Sequence, residues 1–172
     1  MSKKKIQIRR LKKEDAELIS KTFGRQGWNR PVELYDFYYK EQVEGKRVVL
    51  VAFVNEEFAG YLTIQWESDY ENFRKKDIPE VNDLNVLIKF REQGIATKLM
   101  HVAEDIILEH SHTVGIGFGV THDYGAGMRL YVKRGYVPDG NGLVQNNRKI
   151  NIGDTIEVNH DICIYLTKKL GY

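Results

Sequence analysis

The run DLNVLIKFREQGIATKLM, residues 83–100, constrains this chain more than any other. It begins apolar enough for a strand, passes through a short charged loop to Gly94, and then opens a helix. Ile95, Leu99, Val102 and Ile106 recur at steps of 4, 3 and 4, the period of one helical face, and carry that helix to about His110. A strand that turns through a glycine straight into a long helix belongs to layered folds in which helices pack on a sheet. The junction also suits an anion. The first amides of a helix lack intrahelical acceptors, and the macrodipole adds partial positive charge there. Gly94 leaves the backbone uncovered, Ala96 is small, Thr97 offers a hydroxyl, and Lys89 and Arg91 bring full charges. A phosphate fits such a loop. The plain alternative is a strand-to-helix turn in which Gly94 only relieves a bend.

Around this run strands and helices alternate. Residues 6–11 predict a first strand and residues 12–23 a polar helix carrying Ala16, Leu18, Ile19 and Phe23, broken by Gly24 and Gly27. Asn29 as cap and Pro31 in the first turn predict a second helix, VELYDFYYKEQVEG, closed by Gly45. RVVLVAFV and AGYLTIQWE, joined by NEE, read as a hairpin. IPEVNDLNVLI leads into the glycine loop, and its Glu80, Asn82, Asp83 and Asn85 make it more polar than a buried strand. In VGIGFGV the apolar residues Val114, Ile116, Phe118 and Val120 share one face. Gly115, Gly117 and Gly119 form the other, a bare face that admits a close neighbour. A short helix from about Ala126 to Arg134 stops at Gly135. DGNG, residues 139–142, reads as a turn, and strand-like stretches follow at 150–152, 155–158 and 161–167. The pattern predicts an α/β (α+β) fold, a mixed central sheet flanked by helices, with some parallel pairing and one domain over residues 1–172.

Composition closes off several function classes. With 42% hydrophobic and 29% charged residues in 172, the chain is too apolar for disorder, too charged for a membrane protein, and about one domain long. Its 26 basic residues against 24 acidic ones leave +2, too weak a field to point to nucleic acid. The single Cys163 excludes an intramolecular disulfide and a cysteine metal cluster, and between Ile162 and Ile164 it reads as a small buried hydrophobe. No apolar stretch follows the basic opening, so the expected location is cytoplasmic, with no membrane contact. His101, His110, His112, His122 and His160 lack carboxylates or cysteines at ligand spacing, and no metal is expected. For His122, after the glycine-faced strand, a substrate or base role stays open. GIGFG looks like a nucleotide-binding loop, but its alternation makes it a strand, and neither GxGxxG nor GxxxxGK[ST] occurs.

Arg91, Gly94 and Ala96, as RxxGxA between a strand and a helix, resemble the acyl-CoA signature of the GNAT superfamily of N-acetyltransferases. LYVKRGY, from Leu130 to Tyr136, is similar to the LYxKxGF segment of that family's later helix, and the close similarity covers residues 80–136. The resemblance implies acetyl-CoA as co-substrate. Its pyrophosphate would be held by Arg91, Glu92, Gln93, Gly94, Ile95, Ala96 and Thr97, mostly through backbone amides. The backbone at Val86 would pair with the pantetheine arm and orient the acetyl carbonyl. Tyr131 would protonate the departing thiolate. Glu80, eleven residues before Arg91, stands where some members carry their general base, with Asp83 its competitor. Many members carry Asn seven residues before the LY tyrosine, where this chain has Tyr124. Either the cofactor is held differently or Tyr124 supplies that contact.

The implied activity is acetyl transfer by direct attack of a neutral primary amine on the thioester. An alkyl ammonium of pKa ~10.4 is less than about 0.1% neutral at pH 7, so a base is useful. Trp28, the aromatic second helix with Tyr35, and the loop with Glu67, Asp69 and Glu71 lie where the family builds its acceptor site, and they suit a small cationic amine. The same residues serve equally as core aromatics and solvated carboxylates. A protein acceptor, a noncatalytic acyl-CoA-binding sensor or toxin-like subunit, and a homodimer stay open.

Overall fold

The computed structural model describes residues 5–171. The elements run β1 (Ile6–Arg10), α1 (Asp15–Arg25), α2 (Val32–Val43), β2 (Arg47–Val54), β3 (Glu57–Gln65), α3 (Glu71–Arg74), β4 (Glu80–Val86), α4 (Ile95–Leu108), β5 (Thr113–Gly119), α5 (Gly125–Lys133), β6 (Val137–Gln145), β7 (Arg148–Lys149) and β8 (Ile162–Lys169). The strands form one sheet in the order β1-β2-β3-β4-β5-β8-β6-β7, mixed in sense, as the α/β expectation requires. Among the described residues no helix is long and apolar enough to cross a membrane. By its contacts the chain divides into two interleaved units, one of the residues up to Gln65 with Asn82–Asp105, the other of Trp66–Val81 with Ile106 onward.

In the first unit every residue of β2 is buried, as expected of a β-branched strand covered on both faces. It pairs antiparallel with β1, from Ile6↔Val54 to Arg10↔Leu50, and with β3, from Arg47↔Gln65 to Val54↔Glu57. The β2–β3 connection is Asn55-Glu56, both left-handed at φ 48° and 69°, a tight pair whose twist matches the flanking strands. Helix α1 buries Ala16, Ile19 and Phe23, and Arg9 clamps Asp15 at its start with two hydrogen bonds of 2.6 and 2.8 Å. Pro31, not Asn29, occupies the N-cap of α2, and no side chain caps that helix. An extended proline there needs no partner for an amide it lacks. Phe23 meets Phe58 and Tyr61 edge-on at 5.7 and 5.8 Å, and Tyr35 meets Tyr61 at 5.5 Å, so one aromatic cluster joins both helices to β3. At Gly60 the backbones of β3 and β4 approach closely: a Cβ there would lie 2.5 Å from the Asn85 carbonyl oxygen.

In the second unit the start of β4 pairs parallel with β5, Glu80↔Gly115 and Val81↔Ile116. β8 then runs antiparallel between β5 and β6. The bare face of β5 is covered by rings. A Cβ on Gly115 would meet Phe73 at 2.2 Å, on Gly117 Tyr165 at 2.8 Å, and on Gly119 Tyr124 at 2.4 Å. Three readings of the sequence need correction. DGNG is not a turn but lies inside β6, where a register shift between Pro138 and Leu143 accommodates Gly140 and Gly142 at φ 88° and 69°. Neither residues 150–152 nor residues 155–158 form a strand, and Ile152 and Val158 are exposed. On α4 the fully buried positions are Leu99, Met100, Ala103 and Ile107, with Ile95 beside them, while Val102 and Ile106 are half-buried. The buried stripe is thus rotated toward Met100.

Candidate active site

The loop between β4 and α4 is built by two left-handed residues, Glu92 at φ 58° and Gly94 at φ 80°. They reverse the chain after a 3-10 turn at Ile88–Phe90 and release it as α4, whose first turn closes with Lys98 N–H donating to the Gly94 carbonyl at 3.0 Å. Open space lies where a Cβ on Gly94 would stand, so the mouth of this fourteen-residue helix is clear at that residue. Arg91 is exposed; its guanidinium lies over the Trp28 ring at 5.4 Å, and its Nε donates toward the Val86 carbonyl at 3.5 Å. Lys89 pairs with Glu57, and Gln93 Nε2 donates to the Lys89 carbonyl at 2.8 Å. The α1–α2 turn reaches the same loop: Trp28 stacks on Phe23 at 5.7 Å, and Gln26 Oε1 accepts from the Ile88 amide at 3.1 Å. An exposed guanidinium, a glycine turn and a helix start are the fittings of an anion site.

Asp83, also in the first unit, is held differently from an ordinary strand residue. It is left-handed at φ 50°, which turns its side chain into a cage. Oδ1 accepts from Arg30 Nη1 at 3.0 Å and Asn85 Nδ2 at 2.8 Å; Oδ2 accepts from Tyr38 at 2.8 Å and Tyr61 at 2.6 Å. A carboxylate has about four lone-pair positions, and here each oxygen serves two donors. Arg30 spans further, from Tyr61 Oη at 3.1 Å to Asn85 Oδ1 at 3.0 Å. Burial first, then the charge on Asp83, pushes the Tyr61 phenol well above its ordinary range and raises Tyr38 as well. Tyr35 is fully buried beside this cage, its phenol pushed up to about 12 by burial.

The second unit holds Glu80, buried at the start of β4, with Ser68 Oγ donating to its Oε2. Its charge is felt on β8, where Tyr165 and Cys163 are raised first by burial and then by Glu80. Tyr131 is buried on α5, its phenol pushed up to about 12 by loss of water, and its ring lies 6.1 Å from that of Tyr136. The Tyr124 hydroxyl lies 3.1 Å from His160 Nδ1. Glu67 and Asp69 are exposed, whereas Glu71 pairs with Lys75 at 2.6 Å. Among the described residues no group of three or more His, Cys, Asp or Glu could hold a metal ion.

Of the candidates, Arg91, Glu92, Gln93, Gly94, Ile95, Ala96, Thr97, Val86, Trp28, Tyr35 and Asp83 belong to the first unit, and Glu80, Tyr124, Tyr131 and Glu67 to the second. The sequence reading missed Arg30, Tyr38 and Tyr61 around Asp83, and Ser68 beside Glu80. Their partners lie 12 to 53 positions away, beyond any local pattern.

A family model described as the acetyltransferase (GNAT) family matches residues 11–136. No curated protein matches the chain. Among solved structures, yncA from Salmonella typhimurium, determined with its cofactor acetyl-CoA, is 18% identical with a TM-score of 0.68, covering 96% of this chain and 94% of that one. A ribosomal-protein-alanine N-acetyltransferase from Brucella melitensis is 18% identical with a TM-score of 0.69, over 95% and 99%. A chimera of the spermidine N-acetyltransferase SpeG of Vibrio cholerae with hSSAT is 14% identical with a TM-score of 0.67, over 95% of each chain. Identities this low show a shared fold.

Proposed function

Given that this chain belongs to the acetyltransferase (GNAT) family, we propose that it transfers the acetyl group of acetyl-CoA to a primary amine by direct attack. The observation that carries this reading is the loop at residues 91–94, two left-handed residues and an exposed Arg91 opening into α4 with clear space at Gly94. That loop, with the first amides of α4 from Ile95 to Thr97, would take the pyrophosphate. Acetyl-CoA, when bound, supplies an activated thioester. The backbone at Val86 would orient the acetyl carbonyl and stabilise its developing negative charge. Tyr131 would hold the proton given to the leaving sulfur. Glu80 would receive the ammonium proton, and Asp83, whose oxygens accept from four donors, would shape the first unit's polar cage. With its hydroxyl beside His160, Tyr124 would offer the cofactor the donor or acceptor position that His160 leaves.

The acceptor reading is a small cationic amine, drawn by the exposed Glu67 and Asp69. A protein amino terminus is the second reading, favoured by the likeness to a ribosomal-protein-alanine acetyltransferase. Acetyl-CoA at 100 times its dissociation constant should stabilise the fold by about 2.7 kcal/mol, or roughly 5 to 10 °C in Tm. Arg91→Ala should shrink that shift and Gly94→Asp abolish it. No shift for the native chain at millimolar acetyl-CoA refutes the cofactor reading. Thioester turnover with spermidine and with an N-terminal alanyl peptide then separates the acceptors, and binding without turnover of either would favour an acyl-CoA sensor.

A further inference from the structure

Glu80 is a buried carboxylate, and burial opposes its charge. One group that favours the charged form is Ser68, a serine whose own bonding leaves one direction for its proton. Ser68 is 1% exposed. The Tyr70 amide donates to Ser68 Oγ at 3.0 Å, occupying a lone pair, and the single hydroxyl proton is donated to Glu80 Oε2. The strap that carries Ser68 is fastened independently. Arg74 Nη1 donates to the carbonyls of Ser68 and Asp69 at 3.1 and 3.2 Å; the Tyr70 ring stacks on Tyr165 at 3.6 Å and 3°; and the Tyr70 hydroxyl donates to Asp139 at 2.9 Å. A short segment with no regular structure before α3 is thereby fastened around Ser68, which bonds Glu80.

We infer that Ser68 is a positioning residue for the reaction: through a hydroxyl aimed by the Tyr70 amide, it orients the Glu80 carboxylate and favours the ionised form that accepts the amine's proton. This rests on the reading of Glu80 as general base. The charge of Glu80 acts on Tyr165 and Cys163 of β8; Asp69 of the strap also acts on Tyr165, and Asp161 before β8 on Cys163. Burial raises both the phenol and the thiol, so neither gives up its proton in the acid range, and Glu80 holds the hydrogen bond from Ser68.

The test follows the Glu80 carboxyl carbon by NMR against pH in the full chain, its resonance identified by its loss in Glu80→Gln. Ser68→Ala should raise the titration midpoint by roughly 0.5 to 1 pH unit. Ser68→Thr, which keeps the hydroxyl, should restore it, and the near-isosteric Ser68→Cys should fall between. A serine that only satisfied the Tyr70 amide would lower Tm and leave the midpoint alone, and that result overturns the inference. Should Ser68→Ala fail to fold, equal midpoints in the Thr and Cys variants overturn it instead. The acid limb of kcat/KM, measured with whichever of spermidine or the alanyl peptide turns over, should move with the midpoint. If Glu80→Gln keeps the native pH profile, the base reading falls. If Glu80→Gln loses the limb while Ser68→Ala leaves it in place, the role of Ser68 falls alone.

Discussion

Tyr131 shows how a residue's surroundings limit its chemistry. Its phenol is pushed up to about 12 by burial, so it stays protonated through the neutral range and can donate to a leaving thiolate. Tyr131→Phe should lower kcat about 10²- to 10⁴-fold while leaving acetyl-CoA affinity nearly unchanged; full turnover in that variant would remove the acid assignment. Asp83 supplies the contrast. Asn in its place tolerates the left-handed backbone and keeps the size, but it removes the charge that Arg30, Tyr38 and Tyr61 were arranged around. Asp83→Asn should cost about 1 to 3 kcal/mol in chemical denaturation and keep the acid limb of the rate profile. Loss of that limb with stability intact would make Asp83 the base. Neither contrast was readable from the polar run EVNDLN, because what separates the two carboxylates is their partners. Ser68 lies 12 positions from Glu80, whereas Tyr61, Tyr38 and Arg30 lie 22, 45 and 53 from Asp83.

Among the elements, those whose pattern is local were legible. The β2–β3 hairpin, α4 and the glycine-faced β5 each carry their period in consecutive residues, and all three form. β6 was not, since two glycines at positive φ look like a turn until β8, pairing across the bulge, makes them part of a strand. The glycines that matter for stability do so by crowding, and the crowding differs in kind. On β5 a Cβ at Gly117 meets the Tyr165 ring, which can tilt; on β3 a Cβ at Gly60 meets the Asn85 carbonyl, which cannot move without parting the strands. Gly60→Ala should therefore lower Tm more than Gly117→Ala, with about 1 to 3 kcal/mol expected for the latter. Equal losses at the two sites would mean that β4 gives way as easily as a ring.

Among the described residues, Tyr35, Tyr38, Tyr61, Tyr70, Tyr131 and Tyr165 have phenols raised above the ordinary value, and burial is the leading cause in each. The sign is that of a folded state holding its protons more tightly than the unfolded chain. Their contribution to stability is complete below about pH 10 and is lost as pH climbs from there toward 12 and beyond. Tm should fall steeply above about pH 10, with tyrosinate absorbance appearing together with unfolding. Smooth ionisation of all the tyrosines in a still-folded chain would show these phenols to be wetter than the fold implies.

The placement of β8 bears on how the chain is made. Residues 137–145 leave the ribosome before residues 162–169, yet β6 joins the sheet only through β8 and, at its far end, β7. Until residue 169 emerges, β5 and β6 each present an unpaired edge, the kind of template that recruits foreign strands. Synthesis of the stretch between β6 and β8, residues 146–161, is thus an interval of exposure. A nascent chain arrested within it should bind chaperones and aggregate more readily than one arrested before β5 begins.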